Sequence, residues 1–255
     1  MAHWMRYEHN GVTGFGTIDG DVISIFAGDM FDHPNATGET LALNVVRVLT
    51  PCQPTKMVAL WNNFRALAEK LNQAIPPEPL YFLKGSNAFH PHGKPIRVPA
   101  AYAGKVVFEG ELGIVIGKRC CGVDETDAAS FIFGYTCIND VTAAELLFKD
   151  TSFAQWTRAK SFDTFGVFGP VIATDIDPMT LSIQTILNGQ ERQNYAVADM
   201  IFPPAKLVSL ISHDMTLEAG DVIACGTSIG VGSMKAGSDV SVIIAGIGEL
   251  RNRYE

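Results

Sequence analysis

A β-rich α+β fold is what this sequence predicts, and three observations predict it. Short apolar runs bounded by Gly, Asn or Pro turns recur along the whole chain. Segments with helical spacing are few and short. The composition, 47% hydrophobic and 18% charged over 255 residues, is globular. It suffices for one large domain, or a large one with a small companion.

Residues 5–27 read as strands broken by glycine: MRYEH, TGFGTIDG and DVISIFAG. A polar segment to about residue 40 follows, then ETLALNVVRVL, whose spacing predicts a helix. TPCQPTK, with two prolines, reads as a linker. It divides the chain into a small N-terminal β-rich domain, 1–55, and a main domain, 56–255. KMVAL is a predicted strand. NNFRALAEKLNQA has helical spacing, with Phe64, Leu67, Ala68 and Leu71 on one face. PPEPLYFLKG opens a strand after a proline turn, and NAFHPHGKPIRVP reads as loop. From VVFEGELGIVIGK to the C-terminus, strands with Gly and Asn turns dominate, interrupted by two or three short helices. No repeat, low-complexity segment or coiled coil interrupts this texture.

Charge and cysteine usage exclude several classes. Net charge is −8 and the 19 Lys and Arg form no basic run, which argues against nucleic acid and anionic membrane surfaces as partners. An acidic ligand would need a local cation, because the overall field repels it. Five cysteines without C-x-x-C spacing predict a reduced, cytoplasmic compartment. MAHWMRYEHN lacks a signal peptide's apolar core, and no run approaches the roughly 20 apolar residues of a membrane span.

Within VVFEGELGIVIGK, Glu109 and Glu111 are two residues apart among valines and isoleucines. On a strand they share a face, about 7 Å apart, while Leu112, Ile114 and Ile116 face a core. Partly desolvated, such a pair costs several kcal/mol unless a cation compensates. Asp140, at the end of GYTCIND, is a third acidic candidate. Two readings stay open. Glu109, Glu111 and Asp140 are oxygen ligands for Mg²⁺, Mn²⁺ or Ca²⁺, or the glutamates are a surface pair and Asp140 caps the following helix. Lys160, among the apolar residues of WTRAKSFDTFGVFGP, either snorkels to solvent or is a desolvated lysine that binds a carboxylate or enolate. CGTSIGVG, Cys225 to Gly232, lacks the lysine of a phosphate loop. Its Thr227 donates to a ligand oxygen or serves the turn.

Together YFLKGSNAF, EGELGIVIGK, FGYTCINDVTA, AKSFDTFGVFGP, LNGQERQN, DMTLEAGDVIACGTSIGVG and GIGELRNR resemble the fumarylacetoacetate hydrolase family. They run in the family's order from about residue 57 onward. The resemblance implies a mixed β-roll catalytic domain with a small N-terminal β domain, and a homodimer. It implies Mg²⁺ or Mn²⁺ held by Glu109, Glu111 and Asp140, with Lys160 and Thr227 as active-site residues. Ser228 stands where the family loop usually has proline. Gly226, Asp163, Arg192 and Gln193 are further candidate substrate contacts, the last two also readable as a polar hairpin turn.

One departure bears on the reaction. Hydrolytic members carry NYxxHAxE on a lid helix, where His and Glu activate water. NFRALAEK puts Leu67 at the His position and Lys70 at the Glu position. Glu69 is one residue away, about 100° around the helix. His90 and His92, in FHPHGK, are loop candidates for a replacement base, and His213 is expected at a helix end. The expectation is therefore enolate chemistry without water addition, an isomerase or decarboxylase on a small unsaturated 2-oxo di- or tricarboxylate. A C–C hydrolase of an acylpyruvate, a lyase or dehydratase of a sugar or ureido acid, and a catalytically silent binder are the alternatives.

Overall fold

The computed structural model describes residues 1–255. The N-terminal part holds β1 (His3–His9), β2 (Val12–Asp19), β3 (Val22–Asp29), β4 (Asp32–Ala42) and β5 (Arg47–Val48). There follow β6 (Met57–Trp61), α1 (Arg65–Lys70), β7 (Leu80–Lys84), β8 (Phe89–His90), β9 (Val106–Phe108) and β10 (Gly110–Ile116). Next come α2 (Glu125–Ala128), β11 (Ile132–Asp140), β12 (Thr142–Ala143), α3 (Ala144–Leu147), α4 (Trp156–Lys160) and β13 (Gly166–Ala173). The chain ends with β14 (Ser182–Leu187), β15 (Gln190–Ala196), α5 (Pro204–Asp214), β16 (Val222–Ala224), β17 (Gly232–Met234), β18 (Ser238–Ile244) and β19 (Gly248–Tyr254). Strands outweigh helices throughout, as the sequence predicts.

One long sheet organises the molecule, in the order β4-β3-β2-β1-β13-β11-β10-β16-β6-β7, with β5 on β1 and β8 on β13. A four-stranded sheet, β15-β14-β18-β19, packs against β10 and β11, and β12-β9-β17 form a third. Every residue of β10 is buried, so the period-two alternation of a strand decides only which core each side chain joins. Leu112, Ile114 and Ile116 enter a core of 45 buried residues, and Val115 enters one of 10 on the opposite face.

Two predicted helices come out differently. ETLALNVVRVL ends β4, makes a short turn and forms β5, with Leu41 opposite Ile23 and Val48 opposite Tyr7. Its apolar spacing fits either period, and the neighbouring strands β3 and β1 decide between them. The polar stretch before it is strand as well, an exposed part of β4. Helix α1 has only six residues. Phe64 remains extended before it, and Asn72, at φ 52°, turns the chain out of it. Phe64 and Ala68 are buried and Leu67 packs against the large core, but Leu71 is 43% exposed.

The N-terminal strands continue the main sheet, since β1 meets β13 at His3↔Ala173 and Trp4↔Ile172. Trp4 and Phe31 both pack on Phe133, at 6.0 and 4.9 Å between ring centres. No helix is long and apolar enough to cross a membrane. All five cysteines are free.

Candidate active site

Strand register builds the site. Gly110 lies opposite Asn139 and Glu111 opposite Ile138. Glu109, just before β10, therefore falls opposite Asp140, whose N–H donates to the Glu109 carbonyl at 2.9 Å. Glu111 and Asp140 become diagonal neighbours on the same face. One oxygen from each of the three carboxylates lies within 4.8 Å of the others. Glu111 and Asp140 are fully buried, and Glu109 is half-buried. Asp140 does not cap the next helix, because α3 is preceded by Ala143 without a side-chain cap. The surface-pair reading of the glutamates falls with it.

Two ammonium groups face these three carboxylates. Lys160, at the end of α4, donates to Glu109 Oε2 at 2.8 Å and to Asp140 Oδ2 at 2.6 Å. It is buried and does not snorkel to solvent. Lys84, at the end of β7 and also buried, donates to Asp140 Oδ1 and, at 3.3 Å, to the Val141 carbonyl. Glu109 Oε1 accepts from Thr142 Oγ1 at 2.7 Å, and Glu111 Oε2 from the Gly226 N–H at 2.8 Å. Glu111 Oε1 is buried without a partner.

The charges sort the protons. Burial, then the Asp140 and Glu109 carboxylates, push Glu111 well above the usual carboxylate range. Burial would also raise Asp140, but Lys160 and Lys84 override it and hold it low. For Lys160, burial works downward and is overcome by Asp140, Glu109 and Glu111, so its ammonium is held above the ordinary lysine value. For Lys84, burial prevails over Asp140 and lowers it. Lys160 answers to three carboxylates and Lys84 chiefly to one, which explains the opposite directions.

An all-oxygen donor set of three carboxyl groups facing two lysines, with one orphan carboxyl oxygen, fits a hard divalent cation. Glu109, Glu111 and Asp140 are the residues that would hold it.

The glycine-rich loop after β16 closes one side. Gly226 sits at φ +87°, and a Cβ there would press on the Leu60 carbonyl at 3.3 Å. Thr227 Oγ1 donates to the Gly110 carbonyl at 3.0 Å and accepts from Gln193 Nε2 at 2.8 Å. Gln193 Oε1 accepts from Gly110 N–H at 3.0 Å and Thr185 Oγ1 at 2.9 Å. Gln193 thus clamps β10 to the loop with both ends of its amide. Arg192 is exposed on β15, and Asp163 is exposed and accepts from Asn87 Nδ2 at 2.8 Å. Neither is hydrogen-bonded to the carboxylates.

The histidines stand apart. Lys94, Pro95 and Arg97 surround His90, and His92 Nδ1 accepts from the Arg251 N–H at 3.1 Å. His213 lies in the last turn of α5, with Nδ1 2.9 Å from the Ser209 carbonyl. Sequence reasoning missed Lys84. Its signal was a lysine closing the apolar strand LYFLK, two residues after Phe82 and hence on the same face.

A family profile described as fumarylacetoacetate (FAA) hydrolase C-terminal matches residues 56–255, and one described as Rv2993c-like, N-terminal, matches residues 2–51. The crystal structure of 2-hydroxyhepta-2,4-diene-1,7-dioate isomerase from Mycobacterium marinum superimposes with a TM-score of 0.91 at 37% identity, covering 100% of this chain and 98% of that one. Oxaloacetate tautomerase YisK of Bacillus subtilis is 33% identical over 226 residues, 83% of this chain and 74% of its own length. Fumarylpyruvate hydrolase from Pseudomonas aeruginosa, in complex with Mn²⁺ and pyruvate, superimposes with a TM-score of 0.73 at 27% identity, covering 80% of this chain and 90% of that one.

Proposed function

The chain belongs to the fumarylacetoacetate hydrolase family, and on that premise we propose that it is a divalent-metal-dependent isomerase. Its reaction is keto–enol tautomerisation of a small unsaturated 2-oxo di- or tricarboxylic acid, with loss of CO₂ where the acid carries a 3-carboxylate. Acids of this kind arise in aromatic-compound catabolism, which is the setting we assign.

One observation carries this reading. Three carboxylates within 4.8 Å, with a protonated lysine between two of them, lie in a site to which α1 brings no histidine. Glu109, Glu111 and Asp140 would hold Mg²⁺ or Mn²⁺, which would supply a Lewis acid for the 2-oxo acid's oxygens. Lys160 Nζ keeps its own proton and sets a fixed positive charge beside the oxygen that becomes negative. Lys84 orients Asp140, and the Gly226 N–H orients Glu111. Thr227, tied to Gly110 and Gln193, fixes the loop edge against which the acid lies. Leu67 packs against the core where a lid base would stand, so water in the site lacks an activator. The isomerase and tautomerase among the relatives support this reading, and the hydrolase holding Mn²⁺ and pyruvate supports the pairing of cation and 2-oxo acid.

The test is to supply oxaloacetate, a hydroxydienedioate and an acylpyruvate with Mg²⁺, following enol absorbance, CO₂ and acid release. We expect accelerated enol–keto exchange that EDTA abolishes and Glu111→Ala lowers by about a hundredfold or more. Acid release from the acylpyruvate at a comparable rate would replace the isomerase by a C–C hydrolase.

A further inference from the structure

The wall beside Lys160 is aromatic, and strand register explains how it reaches the site. Glu111 and Val115 share a face of the main sheet. Val115 lies opposite Val222, which lies beside Met57, which lies opposite Lys84. Phe82 lies opposite Ala59, and Leu80 opposite Trp61. Carboxylates, Lys84, Phe82, Leu80 and Trp61 therefore project from one face. Helix α4 packs over β7 and lays Trp156, one turn before Lys160, on this surface. Trp156 stacks on Phe82 at 4.9 Å and 18°, and its ring centre is 5.5 Å from that of Trp61. Lys160 Nζ, which holds Glu109 and Asp140, is also 5.3 Å from the centre of the Phe82 ring.

The aromatic wall thus meets the site through the Phe82 ring beside Lys160. It opens into a cavity of about 390 Å³ lined by Trp61, Pro79, Leu80, Tyr81, Phe82 and Trp156. No side chain in this lining carries a charge, and Tyr81 commits its hydroxyl to Asp214 at 2.9 Å. A carboxylate placed here would lose its hydration without gaining a cation. A flat conjugated or aryl group would lose little and gain stacking area.

We infer that this cavity is the specificity subsite of the enzyme and takes the unsaturated or aromatic tail of the 2-oxo acid, with any second carboxylate lying beyond the wall in solvent. This rests on the reaction proposed above for the carboxylate end. It also fits where Arg192 lies, exposed on β15 and absent from the cavity lining.

Calorimetric titration of the Mg²⁺-loaded protein with phenylpyruvate and with pyruvate reads the subsite without turnover. We expect phenylpyruvate to bind about tenfold tighter. In Trp156→Leu and Trp61→Leu, two variants so that one misfolded protein does not decide the matter, the ratio falls toward one. A ratio near one in the native protein, or one unchanged in both folded variants, overturns the subsite. Enol–keto rates for phenylpyruvate and oxaloacetate separate this inference from the reaction itself. Selective binding without turnover overturns the reaction and upholds the subsite. Turnover of both acids with equal efficiency, unaltered in the variants, does the reverse. Failure to bind either acid overturns both.

Discussion

Lys84 shows how little of a buried site one residue's sequence context reveals. In LYFLKG it reads as the polar end of a strand, and only its register against Met57 and its reach to Asp140 make it a counter-ion. The glutamates were legible because two carboxylates among valines and isoleucines already demand a partner. Asp140 was legible as a candidate but not as the cross-strand neighbour of Glu109, since pairing partners are not written in either strand alone. Lys84→Met leaves Asp140 Oδ1 buried without its ammonium. Removing one partner of a buried pair costs about 3–5 kcal/mol, so the metal-free variant should melt well below the native protein. With one positive charge fewer against three carboxylates, added Mg²⁺ should restore more stability to the variant than it adds to the native protein. Thermal melts with EDTA and with Mg²⁺ check both halves. A metal-free variant as stable as the native protein would show that Lys84 does not neutralise Asp140.

At the scale of elements, β10 must approach its neighbours more closely than a side chain allows. A Cβ at Gly110 would overlap Thr185 Oγ1, and one at Gly113 would lie 2.6 Å from Ile138 Cδ1. Gly110→Ala should push β10 away from β14 and weaken the Gln193 bridge, at about 1–3 kcal/mol. Because Glu109 and Glu111 flank that residue, Mg²⁺-induced stabilisation should shrink along with the melting temperature. A variant that melts lower yet keeps the full Mg²⁺ effect would separate packing from site geometry. The glycines in EGELG were visible in the sequence, but the residues they make room for, Thr185 and Ile138, lie on other strands 75 and 25 positions away. The same limit applies to α1. Helical spacing over NNFRALAEKLNQA was real, and Asn72 ended the helix after six residues because asparagine adopts the left-handed conformation cheaply.

Across the whole molecule, Asp221 joins the linker after the N-terminal strands to the sheet that carries the site. Its buried carboxylate accepts from Thr55 N–H at 2.9 Å, Thr55 Oγ1 at 2.7 Å, Lys56 N–H at 3.1 Å and Glu218 N–H at 2.8 Å, and it pairs with Lys56 Nζ at 2.5 Å. Asp221→Ala orphans these donors next to β6 and should cost about 3 kcal/mol. Urea unfolding would show this as a lower midpoint, and an unchanged midpoint would mean that water replaces every bond. The fold class and the β-rich texture were legible because turn residues punctuate the whole sequence. The continuity of the N-terminal strands with the main sheet was not, because β1 meets β13 some 170 residues later through two residue pairs. The main sheet ends at β7, which hydrogen-bonds to β6 alone and carries Lys84 and the Phe82 ring. A strand with one neighbour frays first on warming. Activity would then fade while the two cores remain intact, so the enzyme's working range is bounded by the margin of its weakest border rather than by the melting of the protein.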